Sequence, residues 1–304
     1  MIRETLSGIL PVDKGPGITS FQVVAHLRRV LRAAKIGHGG TLDPAATGLL
    51  PILIGEATKL TPYLVDLDKE YLATVRLGVT TDTQDLSGTV LETCPVPALD
   101  AAGVQGALEK FVGRIRQVPP MYSALHHEGR RLYELAREGV EVERQPREVT
   151  VHAIVLESLA PPDLVLRVRC GKGFYVRTLA ADLGEALGAG GTLARLVRTR
   201  VGPYRLEDAV PWDTVLSARD GSALWPRVLP PDSVLEAMQE ARLSEKAARA
   251  FVNGQSVPDS GAPGPVRVYG ADGALLGIGT RRGALVKPER LLHADPARPR
   301  VLPA

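Results

Sequence analysis

The sequence predicts an α+β chain in two parts, a larger mixed domain followed by a small β-rich module. Three observations lead there. Helical periodicity and strand alternation are interspersed through the first two hundred or so residues. At 304 residues the chain is longer than one core usually serves, given ~150 residues per domain. Proline and glycine then gather at SALWPRVLPPDS, 222–233, and beyond them the pattern is strand and turn.

Residues 19–36 place Val24, Leu27 and Leu31 at helical spacing behind a Thr/Ser cap, with Gly37 as the expected stop. Arg28, Arg29, Arg32 and Lys35 then line the opposite face, a solvated surface on its own terms, and lead into GHGGTLDPAATGLLP, 37–51. Residues 70–78, EYLATVRLG, alternate as a strand with Tyr71, Ala73, Val75 and Leu77 on one face, and TTDTQDLSG after them is turn chemistry. LVLRVRC, 164–170, is a second alternating strand, broken by GKG. FYVR reads as a further extended stretch and Thr178 to about Leu187 as a helix stopped by Gly188. The first domain is placed at 1–230 and the second at 231–304, where 266–280 forms a β-hairpin turning at Asp272 and Gly273, among Arg267, Arg281, Arg282, Lys287 and Arg290.

Composition excludes several classes. With 44% hydrophobic and 23% charged residues the chain is neither disordered nor fibrous, and its apolar runs, such as LLPILI at 49–54, are far below the ~20 residues of a membrane span. The N-terminus shows no export signal, so a cytoplasmic protein without membrane contact is expected. Cys94 and Cys170 are too few and too far apart for a disulfide framework or a thiolate metal site. Arginine outnumbers lysine 29 to 8, which suits phosphates and base edges, although the net charge is only +3. No phosphate-binding loop, dinucleotide fingerprint, serine elbow or histidine–acid metal motif occurs, so no nucleotide cofactor and no catalytic metal are expected.

Asp43 remains. Followed by Pro-Ala-Ala-Thr, it fits a helix N-cap with proline at the first helical position, and on local spacing the cap is the simpler reading. Against it, Gly37, Gly39, Gly40 and Gly48 crowd around this residue and permit close backbone approach to another body. No second acid lies between 37 and 55, so a chemical Asp43 is more naturally a nucleophile than half of a local acid–base pair. An ionised, partly desolvated carboxylate needs a permanent cation, and Arg177 is the candidate. In an extended FYVR, Tyr175 and Arg177 share one face, a ring beside a fork.

Five segments, GHGGTLDPAATGLLP, KEYLATVRLGVTTDTQDLSG, PPMYSALHHEGRRLYELAREG, GKGFYVRTLAADLG and LARLVRTRVG, occur in the order found in TruB-type tRNA pseudouridine synthases, which the chain resembles over nearly all of residues 8–210. The resemblance implies a pseudouridine synthase fold, with a mixed, mainly antiparallel central sheet flanked by helices and a PUA-like C-terminal domain. It implies isomerisation of uridine 55 in the tRNA T loop on a flipped-out base, without cofactor. It makes Asp43 the nucleophile, puts His38 in the RNA-facing part of the same loop, stacks Tyr71 on the target base, sets Tyr175 near its C5 side, pairs Arg177 with Asp43 and closes the pocket with Leu196. The segment at about 114–147 resembles a thumb-like insertion gripping the T arm, with Arg130 and Arg131 as candidates for phosphate contact. A stand-alone monomer acting on tRNA without guide RNA is expected. Competing readings are a non-catalytic RNA-binding protein, a guide-dependent relative and a small-molecule hydrolase.

Overall fold

The structure, a computed structural model, describes residues 7–292 apart from 124 and 128. Its main sheet runs in the order Val210–Pro211, Gly8–Lys14, Thr47–Ile54, Gly191–Val201, Lys69–Leu77, Asp163–Cys170, Arg147–Ala160, Gly113–Gln117, with Ile36–His38 and Tyr204–Arg205 attached beside this path. Two neighbouring pairs are parallel, Gly8–Lys14 with Val210–Pro211 and Thr47–Ile54 with Gly191–Val201, and the others are antiparallel. The α+β class with a mixed, mainly antiparallel sheet is therefore as expected.

Both faces of Thr47–Ile54 are covered, which explains its unbroken apolar sequence. Leu50, Ile52 and Ile54 meet Val23, Val24, Leu27 and Leu31 of the Ser20–Leu31 helix, while Leu49 and Leu53 meet Leu60, Leu64 and Val201 on the other side. The other half of the sheet, through Ala73, Val75, Leu164, Leu166 and Val168, is covered by Leu179, Ala180 and Leu183 of the Val176–Ala186 helix and by Val104 and Leu108. Leu196 packs against the apolar clusters of both halves, so it marks their seam.

Helix ends depart from the sequence reading. The first helix stops at Leu31, not 36, because Arg32 turns left-handed at φ 51° and Ile36 is taken into the sheet opposite Ile54. Its start is as read: Thr19 accepts from Gln22 N, and Gln22 returns a bond to the Thr19 N–H. The segment between Gln117 and Arg147 connects two antiparallel neighbours of the sheet and carries a small hairpin, His126–His127 with Arg130–Arg131, and the Leu132–Arg137 helix.

The C-terminal sheet orders Gln239–Arg242, Gly264–Tyr269, Leu275–Arg282, Leu285–Leu291 and Val257–Pro258, with Phe251 of the Glu245–Val252 helix in its core. The expected hairpin is present, closed by Gly273 N donating to Gly270 O at 2.9 Å. Ile278 and Leu292 pack into one cluster with Ile9, Leu49, Leu53, Val234 and Leu235, so the two sheets share an apolar contact. Among the described residues no helix is long and apolar enough to cross a membrane.

Candidate active site

The site lies at the seam, where Thr47–Ile54 and Gly191–Val201 run parallel for only two register pairs, Val197 with Thr47 and Arg198 with Gly48. Asp43 sits in the loop entering this seam. Its local helix-cap reading fails: Pro44 and Ala45 form a tight turn, Ala46 N donates to Asp43 O at 3.1 Å, and no helix follows. The carboxylate instead meets Arg177, with Oδ2 3.1 Å from Nε. Arg177 is buried, 6% exposed, whereas the Asp43 side chain keeps 41% of its surface open. The arginine is thus part of the wall and the acid is available to a visitor.

FYVR is not extended. Tyr175 is the residue before the first helical turn, and Arg177 is already inside the Val176–Ala186 helix. Gln117, far away in sequence, makes this possible: its Oε1 accepts from Tyr175 N at 3.0 Å and its Nε2 donates to Tyr175 O at 3.2 Å. The side-chain amide thereby satisfies the Tyr175 N–H, while Tyr175 O also accepts the helix's own bond from Leu179 N at 3.1 Å. Tyr175 and Arg177 therefore do not share a strand face: one precedes the first helical turn and the other lies within it.

Every guanidinium nitrogen of Arg177 has a fixed partner. Nη1 donates to Thr83 O at 3.1 Å, Nη2 donates to Tyr122 O at 2.7 Å, and Nε also lies 4.0 Å from Asp85 Oδ2. Asp85 is itself held, its Oδ1 accepting from Thr83 Oγ1 at 2.8 Å and Ser87 N at 2.9 Å. The fork cannot swing away, so it presents Nε to Asp43 in one orientation. Burial raises the Asp43 pKa above the ordinary carboxylate value; Arg177 opposes the rise, Asp85 adds to it and Lys14 opposes it. Lys14, fully buried, donates to Gly15 O, Ile18 O and Pro44 O at 2.9, 2.8 and 3.2 Å, and burial lowers its pKa to about 8 against the pull of Asp43. It anchors the Asp43 loop through Pro44.

Tyr71 and Tyr175 are both half-buried and both within electrostatic reach of Asp43. Burial raises both phenol pKa values, so they are neutral rings at physiological pH. Arg198 faces Tyr71 across the strand pair and donates to its hydroxyl. It also donates from Nε to Leu49 O at 2.7 Å and from Nη2 to Gly40 O at 3.1 Å, tying ring, seam and loop together. His38 lies at the end of Ile36–His38; burial and nearby Arg198 lower its pKa, and its buried Nδ1 has no partner. Leu196, half-buried, stands two residues before Arg198 on the same strand. Arg130, itself exposed, lies on the small hairpin paired with Glu138, and the side chain of Arg131 is outside the described residues. Lys14, Asp85, Gln117, Tyr122 and Arg198 were not singled out as site residues from sequence; a lysine ending an apolar strand, LPVDK, was the one local signal among them.

The glycines of the loop serve internal packing as well as turning. A Cβ on Gly39 would fall 2.1 Å from Leu64 Cδ2, and one on Gly48, at φ +99°, 2.5 Å from the Arg198 carbonyl oxygen. The close approach expected for them is thus made, at least in part, by the chain itself.

The site thus joins an accessible carboxylate to a buried guanidinium at a sheet seam, with two tyrosines within electrostatic reach of the acid. Comparison with known proteins gives the lineage. Residues 28–176 match the TruB family pseudouridylate synthase N-terminal domain, 177–236 the tRNA pseudouridylate synthase B C-terminal domain, and 240–292 the pseudouridine synthase II TruB C-terminal region. The tRNA pseudouridine synthase B of Burkholderia mallei is 47% identical over 300 residues, 96% of this chain and 99% of that one. The protein of the same name from Chromohalobacter salexigens is 46% identical over 293 residues, 95% of each chain. Among solved structures, one titled as a Cbf5-Nop10-Gar1 complex superposes with a TM-score of 0.74 at 24% identity, covering 97% of this chain and 87% of that one. Another, an H/ACA RNP bound to a substrate RNA containing 2'-deoxyuridine, gives 0.73 at 22%, covering 98% and 88%. These two likenesses show a shared fold. The chain belongs to the TruB family of pseudouridylate synthases.

Proposed function

We propose that this protein isomerises uridine to pseudouridine in tRNA, at position 55 of the T loop, with Asp43 as nucleophile. The observation that carries the reading is the Asp43–Arg177 pair, an accessible acid held by an immobile, buried cation, in a chain 47% identical to a tRNA pseudouridine synthase B. In the reaction the N1–C1′ bond breaks, the C5–C1′ bond forms, the C5 proton leaves and N1 gains one. Substrate and product have the same atoms, so positioning and a nucleophile meet the chemical need.

A uridine in a folded T loop is everted to reach Asp43, at a cost of roughly a few kcal/mol, and Tyr71 and Tyr175 supply rings against which it is held. Leu196 closes the apolar side and His38 faces the RNA from the loop. Arg177 holds Asp43 ionised and aimed. The segment about 114–147 grips the T arm, and the module from 231 onward is a PUA-like auxiliary RNA contact. Arg130, released from Glu138, and Arg131 are its phosphate-contact candidates. The protein acts in the cytoplasm as a stand-alone monomer.

The test is to incubate pure protein with a bare, unmodified T-arm hairpin, without guide RNA, and map pseudouridine at nucleotide resolution. Product at position 55 alone is expected. No product, product elsewhere, or release of free uracil overturns the reading.

A further inference from the structure

We propose that the exposed stripe formed by the Ser20–Leu31 helix and its Arg32 cap is a docking strip for RNA beyond the target nucleotide. In this arrangement Phe21 stacks on an unpaired base beside the everted uridine, and Arg28, Arg29 and Arg32 hold adjoining phosphates. The inference rests on RNA being the substrate, as proposed above.

Phe21 is 73% exposed, the most exposed of the large hydrophobic side chains described. The helix needs Val23, Val24, Leu27 and Leu31 for its core, and Phe21 contributes nothing to that buried set. From Phe21 the helical period runs through Ala25 and Arg28 to Arg32, positions i, i+4, i+7 and i+11, with Arg29 alongside. An aromatic ring, a small residue and cations therefore occupy one line about 16 Å long. No Asp or Glu occurs from Ser20 to Leu42, so the helix supplies no acids of its own to neutralise these cations. Cations near a helix C-terminus are favourable in themselves, but that effect gives no reason for an exposed phenyl ring at the other end.

Position identifies the occupant. Ser20 Oγ accepts from Leu42 N at 2.9 Å and donates to Leu42 O at 3.1 Å, and Gly17 N donates to Pro44 O at 2.8 Å. The residues on both sides of Asp43 are thus fastened to the start of this helix, and Phe21 is the next residue along. At the other end, Arg28 Nη2 donates to Ile36 O at 3.4 Å, beside the strand that leads to His38. A ring next in sequence to the Ser20 tether of the Asp43 loop, followed by cations, suits an unstacked base followed by its backbone. Asp220 is the acid within electrostatic reach of Arg32, so Arg28 and Arg29 are the cleaner probes.

Affinity for unmodified tRNA is measured in full-length Asp43→Asn protein, which requires no turnover. Adding Phe21→Ala is expected to weaken binding at least about fivefold. Adding Arg28→Gln and Arg29→Gln together should lower the slope of log affinity against log salt by about 2. A Phe21→Trp version should change its emission on RNA binding, relative to the parent carrying Trp212 and Trp225. Unchanged affinity for Phe21→Ala, an unchanged salt slope, or unmoved emission from the added tryptophan overturns the strip, and a surface reserved for a protein partner would give all three. Failure of the Asp43→Asn parent itself to bind tRNA would instead overturn the functional reading beneath it.

Discussion

Asp43 is placed under two opposing demands, and Arg177 is where they meet. The proposed attack needs the acid ionised, yet its surroundings raise its pKa through burial, against the pull of Arg177. Arg177→Met removes the opposing cation and the aiming fork together. Single-turnover rate at saturating RNA should fall about 100-fold or more with affinity changed less than about threefold, and equal losses would make Arg177 an RNA contact instead. The same pKa displacement has a sign in stability. Between the ordinary carboxylate value and the raised one, the folded chain keeps a proton that the unfolded chain has released, so stability falls as pH rises through that window and stays reduced above it. Asp43→Asn removes this cost while retaining an acceptor for Arg177. Thermal unfolding at neutral pH should therefore find the variant no less stable than the parent, with a gain of at most about 1 kcal/mol because the side chain is 41% exposed, and the difference should shrink as pH falls. A variant markedly less stable at neutral pH would mean that the carboxylate supports the fold.

Elements bring the pair together, and here the sequence was legible in part. Alternation gave the Lys69–Leu77 and Asp163–Cys170 strands, the Thr19 cap gave the first helix's start, and the turn residues gave the C-terminal hairpin, because each signal is local. FYVR was misread because Gln117, from another strand, satisfies the backbone of Tyr175 and lets a helix begin there. Asp85 lay inside turn chemistry and Tyr122 acts through its carbonyl, so no local pattern marks either as a partner of Arg177. Asp43 and Arg177 could be paired because a desolvated acid calls for a cation and because the family resemblance named both. The glycines of the motif were visible but not their separate tasks. Gly48→Ala should cost more than about 2 kcal/mol, since it adds strain at φ +99° to a 2.5 Å contact with the Arg198 backbone. Gly37→Ala, with nothing within 4 Å of its Cβ, should lie within about 0.5 kcal/mol of the parent in the same denaturation experiment. Equal effects would remove the seam's close approach as the reason for Gly48.

Across the molecule, the helices over each half of the sheet and the shared cluster of Ile9, Leu49, Leu53, Ile278 and Leu292 hold the seam from several sides. The residues meeting at Asp43 come from the first strand's end, the 79–94 turn region, the 118–146 insertion and the Val176–Ala186 helix, so the cleft exists only when the whole first part is folded. That dependence suits the proposed reaction, in which placement of one carboxylate would supply most of the catalysis. The most direct measurement is single-turnover pseudouridine formation by Asp43→Asn at saturating unmodified tRNA, with binding measured in parallel. The expected result is near-parental affinity with essentially no pseudouridine; product formed at the parental rate would contradict the assignment of Asp43 as nucleophile.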